Sequence, residues 1–136
     1  MTHDQLIDRA MIQQRLAIAA QAGDTDRIDE YVSCFTPDCV IDMVTIQVKG
    51  RDGVRQMLEQ QTTAALAPSG KMTHHLTTCR IDFESVSEAK VTTYWMLVQS
   101  GGLERTGFYR DVFRKIEGEW LIFHRRPRYL QDRSKP

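Results

Sequence analysis

The 136-residue sequence is short of several things, and each shortage excludes a class of protein. Its 18 Lys and Arg are cancelled by 18 Asp and Glu. Non-specific nucleic-acid binding needs a basic surplus to displace counterions, so no nucleic-acid partner is expected. No apolar run approaches the ~20 residues that span a bilayer, so no membrane partner is expected either. The N-terminus, Met1-Thr-His-Asp-Gln, lacks the basic-then-apolar pattern of a secretory signal, which points to the cytoplasm. Cysteine is scarce and odd in number. Cys34, Cys39 and Cys79 form no C-x-x-C pair and have no histidine at a metal-ligand interval. They read as small buried hydrophobes in a reducing compartment, with no metal implied. Repeats and low-complexity segments are absent. The only loose stretch is Ala64–Lys71, where Pro68, Ser69 and Gly70 mark a loop.

What is present suits one globular domain spanning residues 1–136, 41% hydrophobic and 26% charged. The neutral total conceals a gradient. Residues 1–60 hold six basic and ten acidic side chains, whereas residues 105–136 hold nine and four. The two ends should attract. Apolar positions from Gln5 to about Ala22 follow a helical stripe, with Gly23 ending it. A short helix over Thr25–Cys34, strand material over Cys39–Val48 and a helix over Gly53–Thr63 come next. The period then changes. Thr73–Phe83, Lys90–Gln99, Arg105–Ile116 and Glu119–Tyr129 are rich in β-branched and aromatic residues, with turn signals between them. Helices followed by an antiparallel meander make an α+β pattern, a four-strand sheet covered by the early helices.

Strand alternation selects candidate interior polar residues. In Thr73–Phe83 the odd positions include Cys79, Ile81 and Phe83, which predicts that His75 points inward and His74 outward. A histidine in the interior needs an acid, a hydroxyl or water as partner. In the last strand Arg125 shares parity with Leu121 and Phe123, so it can enter the same cavity. Arg126 and Arg128 then fall on a solvated face. Asp24 lies at the bend after the first helix, where capping the second helix is one role. Asp26 can fill that role equally well, which leaves Asp24 available for another.

Several strings bring these residues together. Gly23-Asp24-Thr25-Asp26-Arg27-Ile28-Asp29-Glu30-Tyr31, Phe35-Thr36-Pro37-Asp38, Gly107-Phe108-Tyr109-Arg110-Asp111 and Gly118-Glu119-Trp120-Leu121-Ile122 resemble SnoaL-like proteins of the nuclear-transport-factor-2-like superfamily. That group includes scytalone dehydratase, ketosteroid isomerase and polyketide cyclases. The resemblance covers roughly residues 5–130. It implies a cone-shaped, curved, largely antiparallel mixed sheet covered by three N-terminal helices, and dimers or trimers. In its dehydratases and dehydrochlorinases, an aspartate after the first helix pairs with a histidine on a central strand. Asp24 and His75 fall on those positions, and Arg125 matches a pocket arginine of the lindane-dehydrochlorinase branch. The chain departs from the dehydratases at Ala19, where they carry a tyrosine, for which Tyr94 or Tyr109 can substitute. Where ketosteroid isomerases place their base aspartate, this chain has Met43 beside Asp42.

The resemblance therefore implies a cofactor-independent lyase, of dehydratase or other β-eliminating type, or an isomerase. Asp24 would fix the tautomer of His75 as general base, and Arg125 would stabilise developing negative charge. A small hydrophobic substrate would be lined by Phe35, Met57, Phe83, Trp95 and Phe123 with Tyr94 and Tyr109; Ile12 is a further apolar candidate. Two other readings are open: a non-catalytic small subunit of a ring-hydroxylating dioxygenase, and a small-ligand-binding protein.

Overall fold

The computed structural model describes residues 1–65 and 72–133. Helix α1 spans His3–Asp24, α2 Ile28–Ser33 and α3 Gly50–Ala65. The strands are β1 Phe35–Asp42, β2 Gln47–Lys49, β3 Thr73–Phe83, β4 Glu88–Gln99, β5 Gly102–Ile116 and β6 Glu119–Asp132. Most of the loop expected at Ala64–Lys71 lies outside the described residues. The six strands form one curved, unclosed mixed sheet in the order β2-β1-β6-β5-β4-β3, with β1 parallel to β6 and all other pairs antiparallel. The sheet has two more strands than expected, because residues 39–48 divide into the hairpin β1–β2 and β1 begins four residues earlier, at Phe35.

A capping box starts α1. The Thr2 hydroxyl accepts the Gln5 N–H at 3.1 Å, and the Gln5 side chain accepts the Thr2 N–H at 2.9 Å. The helix then buries Asp8, Ile12, Leu16, Ala19 and Ala22, a stripe at three- and four-residue spacing. It does not stop at Gly23 but runs through to Asp24. Asp26 takes a left-handed φ of 59° in the turn that follows, and Arg27 precedes α2 with no side-chain cap. Neither aspartate caps α2. The core lies between the helices and the concave face of the sheet, with Phe35, Phe113, Trp120 and Ile122 fully buried. Cys34 and Cys39 belong to it, and burial pushes all three thiols above their ordinary pKa.

Two irregularities in pairing decide which side chains face the concavity. On β3, Leu76 stands opposite Trp95 but Cys79 stands opposite Thr93, so an extra residue enters β3 between them. Such a bulge reverses the inward–outward alternation beyond it. On β6, Val112 pairs with His124 and Phe113 with Ile122, so Phe123 is the extra residue.

Candidate active site

The concave face and α1 enclose a cavity of about 360 Å³, within the range typical of small-molecule sites. Its walls are mainly apolar, with Leu16, Ala19 and Ala20 from α1, Met57 and Leu58 from α3, and Leu76 from β3. Trp95 supports one side. Its ring lies 5.8 Å from Tyr109 and 5.7 Å from Tyr129, centroid to centroid, and its six-membered edge covers Gly107. Any side chain at residue 107 would overlap the indole and the Arg128 carbonyl. The indole N–H is buried with no acceptor among the described residues, which leaves a donor in an otherwise apolar wall.

His74, not His75, meets Asp24. The Asp24 Oδ1 lies 2.7 Å from His74 Nδ1, and Oδ2 accepts the His74 backbone N–H at 2.8 Å. An ionised carboxylate only accepts, so Nδ1 carries the proton and Nε2 of the neutral ring is left as a base. The Asp24 side chain is 8% exposed, whereas His74 is 36% exposed and lines the cavity. Trp95 meets the imidazole edge at 6.1 Å. The β3 bulge is what turns His74 inward. Parity counted back from Cys79 and Ile81 points to His75, but the extra residue shifts the interior positions to Leu76 and His74. His75 is exposed, and its Nε2 lies 2.9 Å from the Thr73 hydroxyl.

Arg125 does reach the cavity wall, though not by the expected parity. It follows the bulge at Phe123 and is inward together with Ile122, where counting from Leu121 and Phe123 gave the right answer through the wrong phase. Its Nε and Nη2 each donate to Asp111 at 2.9 Å, and its guanidinium carbon lies 3.9 Å from the centroid of the Tyr109 ring. Burial acts to lower its pKa, but the Asp111 carboxylate raises it above the ordinary guanidinium value. Burial also pushes the Tyr109 phenol well above its usual value, so it stays neutral.

Of the expected lining residues, Met57, Trp95 and Tyr109 line the cavity. Tyr94 does not: it alternates with Trp95, emerges on the convex face and is 51% exposed. Phe123 is displaced outward by the bulge and lies beneath Arg114, 3.4 Å from ring centroid to guanidinium carbon. Phe35 and Ile12 are fully buried in the core beside the cavity rather than in its wall. Phe83 packs on Trp120 at 6.0 Å, away from it. Of the two tyrosines considered in place of one at Ala19, only Tyr109 lines the cavity. Arg126 and Arg128 pair with Asp42 at 3.4 and 4.0 Å, as a solvated basic face facing the acidic half would require. Met43 lines the cavity.

Sequence reasoning missed His74, hidden by the bulge, and Tyr31. Tyr31 lines the cavity, its ring 5.2 Å from Phe35. Among the described residues no group of three or more His, Cys, Asp or Glu is placed to hold a metal ion, and no helix is long and apolar enough to cross a membrane.

Comparison with known proteins agrees with this architecture. The SnoaL-like domain family model matches residues 4–126. No curated protein matches the sequence. Among solved structures, a candidate scytalone dehydratase from Novosphingobium aromaticivorans is 22% identical and covers 96% of this chain and 89% of its own, with a TM-score of 0.84. The hexachlorocyclohexane dehydrochlorinase LinA-type3 from Novosphingobium barchaimii is 18% identical, covers 95% and 90%, and gives 0.82. A candidate aromatic ring hydroxylase from Novosphingobium aromaticivorans is 25% identical, covers 93% and 91%, and gives 0.75.

Proposed function

The chain belongs to the SnoaL-like family, and from that premise we propose that it is a lyase removing a proton and a β-leaving group from a small hydrophobic molecule. The observation that carries this reading is the Asp24–His74 pair opening onto an apolar cavity. Nε2 of His74 takes the proton from carbon, and Asp24 stabilises the imidazolium that forms. The C–H electron pair becomes the new double bond as the β-leaving group departs. If that group is hydroxyl, the imidazolium returns its proton and water leaves. Positioned acid–base catalysis of this kind contributes about 10²–10⁴-fold. Asp24 is held by two hydrogen bonds to one residue of the sheet, so the ring has little freedom to turn. The fold neighbours include proteins described as a candidate dehydratase and a dehydrochlorinase, which supports elimination over isomerisation. The residues at 42 and 43 favour the same order, since Asp42 faces Arg126 and Arg128 rather than the cavity. A subunit serving only as scaffold has no use for a half-exposed, carboxylate-oriented imidazole in an apolar cavity.

The test is a panel of cyclic β-hydroxy ketones and halogenated cyclohexanes, followed by absorbance of the unsaturated product. His74→Gln should lower kcat by about 10²–10⁴-fold, while His75→Gln leaves it within about twofold. Wild-type turnover that survives His74→Gln overturns the reading.

A further inference from the structure

Two arginines line the cavity, Arg125 and Arg105, and they differ in how far their donors are used. Arg125 is committed: Nε and Nη2 fork onto Asp111, and its face covers the Tyr109 ring. Arg105 is not. Its carboxylate partner is Asp132, with Oδ1 3.3 Å from Nε, and that Nε is buried yet makes no hydrogen bond among the described residues. Asp132 approaches from the Nε side, which leaves the Nη1–Nη2 fork without an acceptor among the described residues. The side chain is 29% exposed, and its guanidinium carbon lies 5.5 Å from the centroid of the Tyr129 ring. The same ring lies 5.7 Å from Trp95, whose indole N–H is the other buried wall donor lacking an acceptor. The wall around Tyr129 therefore carries one cation and a surplus of N–H groups. Strand register fixes where this stands relative to the base. His74 pairs with Leu97, and Leu97 pairs with Arg105, so the three form one row across β3, β4 and β5. All three line the cavity. Two strand spacings put the Cα atoms of His74 and Arg105 about 10 Å apart, with the apolar Leu97 between them.

We infer that Arg105 binds a carboxylate of the substrate, and that this substrate is an acid whose carboxylate is separated from the reacting carbon by a ring-sized apolar body. This rests on the reading of His74 as the base. A planar carboxylate matches the geometry of an open guanidinium fork, and the bond is charge-assisted. Asp132 and Tyr129 already hold the guanidinium in place, so little ordering cost falls on binding. Asp24 sets the direction. Its carboxylate stands behind His74 at the other end of the row and repels a second anion, so the acid end of the substrate turns to Arg105 and the uncharged end to His74. Leu97 supports the apolar body between them. Arg105 is remote from the bond being broken, so its contact is equally strong in ground state and transition state. It therefore selects the substrate through KM and leaves kcat alone.

The probes are 2-naphthoate and its neutral amide, 2-naphthamide, each titrated calorimetrically into the full chain. The wild type should bind the acid about tenfold more tightly than the amide, the gain expected of one charge-assisted contact. Arg105→Gln should bring the two affinities within about twofold of each other, with the amide affinity itself unchanged. Arg105→Lys keeps the charge without the fork and should retain a preference of about threefold. Lys90→Gln removes an exposed cation at the opposite end of β4 and should leave the wild-type ratio as it is. In the unaltered protein the Nε–H resonance of Arg105, assigned by its loss in Arg105→Lys, should shift with 2-naphthoate and stay in place with 2-naphthamide. Equal wild-type affinity for acid and amide, a preference that survives Arg105→Gln, an Arg105 resonance indifferent to the acid, or no binding of either probe at millimolar concentration overturns the inference. The base is tested separately. An Arg105-dependent preference in a protein whose turnover is indifferent to His74→Gln overturns the base and leaves the carboxylate site standing. Turnover that needs His74 but keeps its KM in Arg105→Gln overturns the carboxylate site and leaves the base.

Discussion

Helix α1 carries a carboxylate near each end, and each accepts an N–H from an aromatic ring on the sheet. Near the N-terminal end Asp8 accepts from Trp120 Nε1 at 3.0 Å, with Lys115 at 3.2 Å. At the C-terminal end Asp24 accepts from His74 Nδ1 at 2.7 Å. The two joints fasten the same helix to the same sheet, about 24 Å apart at 1.5 Å per residue. They differ in the ring. Indole has one nitrogen, always a donor, and its bond to Asp8 is buried with nothing left over. Imidazole has a second nitrogen, and that nitrogen belongs to a ring lining a cavity. On the proposed reading, the joint at Asp24 differs from the one at Asp8 because its donor ring has a second nitrogen and a cavity beside it. The Ala19, Ala20 and Gly23 run supplies that space, because small residues on α1 leave room between helix and sheet.

Breaking the Asp24–His74 joint, the proposed catalytic one, should have the largest effect. Asp24→Asn, like His74→Gln, is expected to lower kcat by about 10²–10⁴-fold on a substrate identified from the panel, with an unchanged circular dichroism spectrum. Gly107→Ala tests the cavity wall that Trp95 forms at the Asp24 end. It should cost about 1–3 kcal/mol or more in urea unfolding by pushing against Trp95 and the Arg128 carbonyl. Gly101→Ala, which meets nothing, should stay within about 0.5 kcal/mol. Asp8→Ala breaks the structural joint, leaving a buried indole N–H and Lys115 without their acceptor. A loss of about 1–3 kcal/mol in unfolding free energy is expected, with kcat within about twofold. If Asp8→Ala abolished turnover at full folding, the division between the two joints would be wrong. The smallest effect belongs to His75→Gln, whose exposed ring lies 2.9 Å from the Thr73 hydroxyl. Stability should change by less than about 0.5 kcal/mol and turnover hardly at all.

Much of this fold was legible from periodicity. The α1 stripe, the short second helix, the helix after Gly50 and the four long strands lie within a few residues of where apolar spacing and turn residues place them. Asp24 and Arg125 were picked out as well, though Asp24 is the last residue of α1 rather than part of a bend and Arg125 faces inward only because of the bulge at Phe123. The histidine was not. Alternation is a counting rule, and a single extra residue between Leu76 and Cys79 changes every answer on the far side of it. Nothing in the Thr77-Thr78 pair announces a bulge, since the bulge arises from curving the sheet around its contents. The same blindness applied at Phe123, where the error happened to leave Arg125 on the right side. Phe35 and Phe83 were misplaced for a plainer reason: apolar residues that look equivalent in sequence are divided between core and cavity by the shape of the sheet.

By itself the sequence determined the α+β class, the balance of charge, and which residue types were available for acid–base work. These follow from composition and local periodicity, which are properties of the chain before it folds. Only the tertiary structure decided that His74 rather than His75 meets Asp24, that Arg125 is committed to Asp111, and that Tyr31 faces the cavity. Each depends on register between strands or on contacts across 14 to 50 residues of sequence, and register is set by how six strands pack around one core.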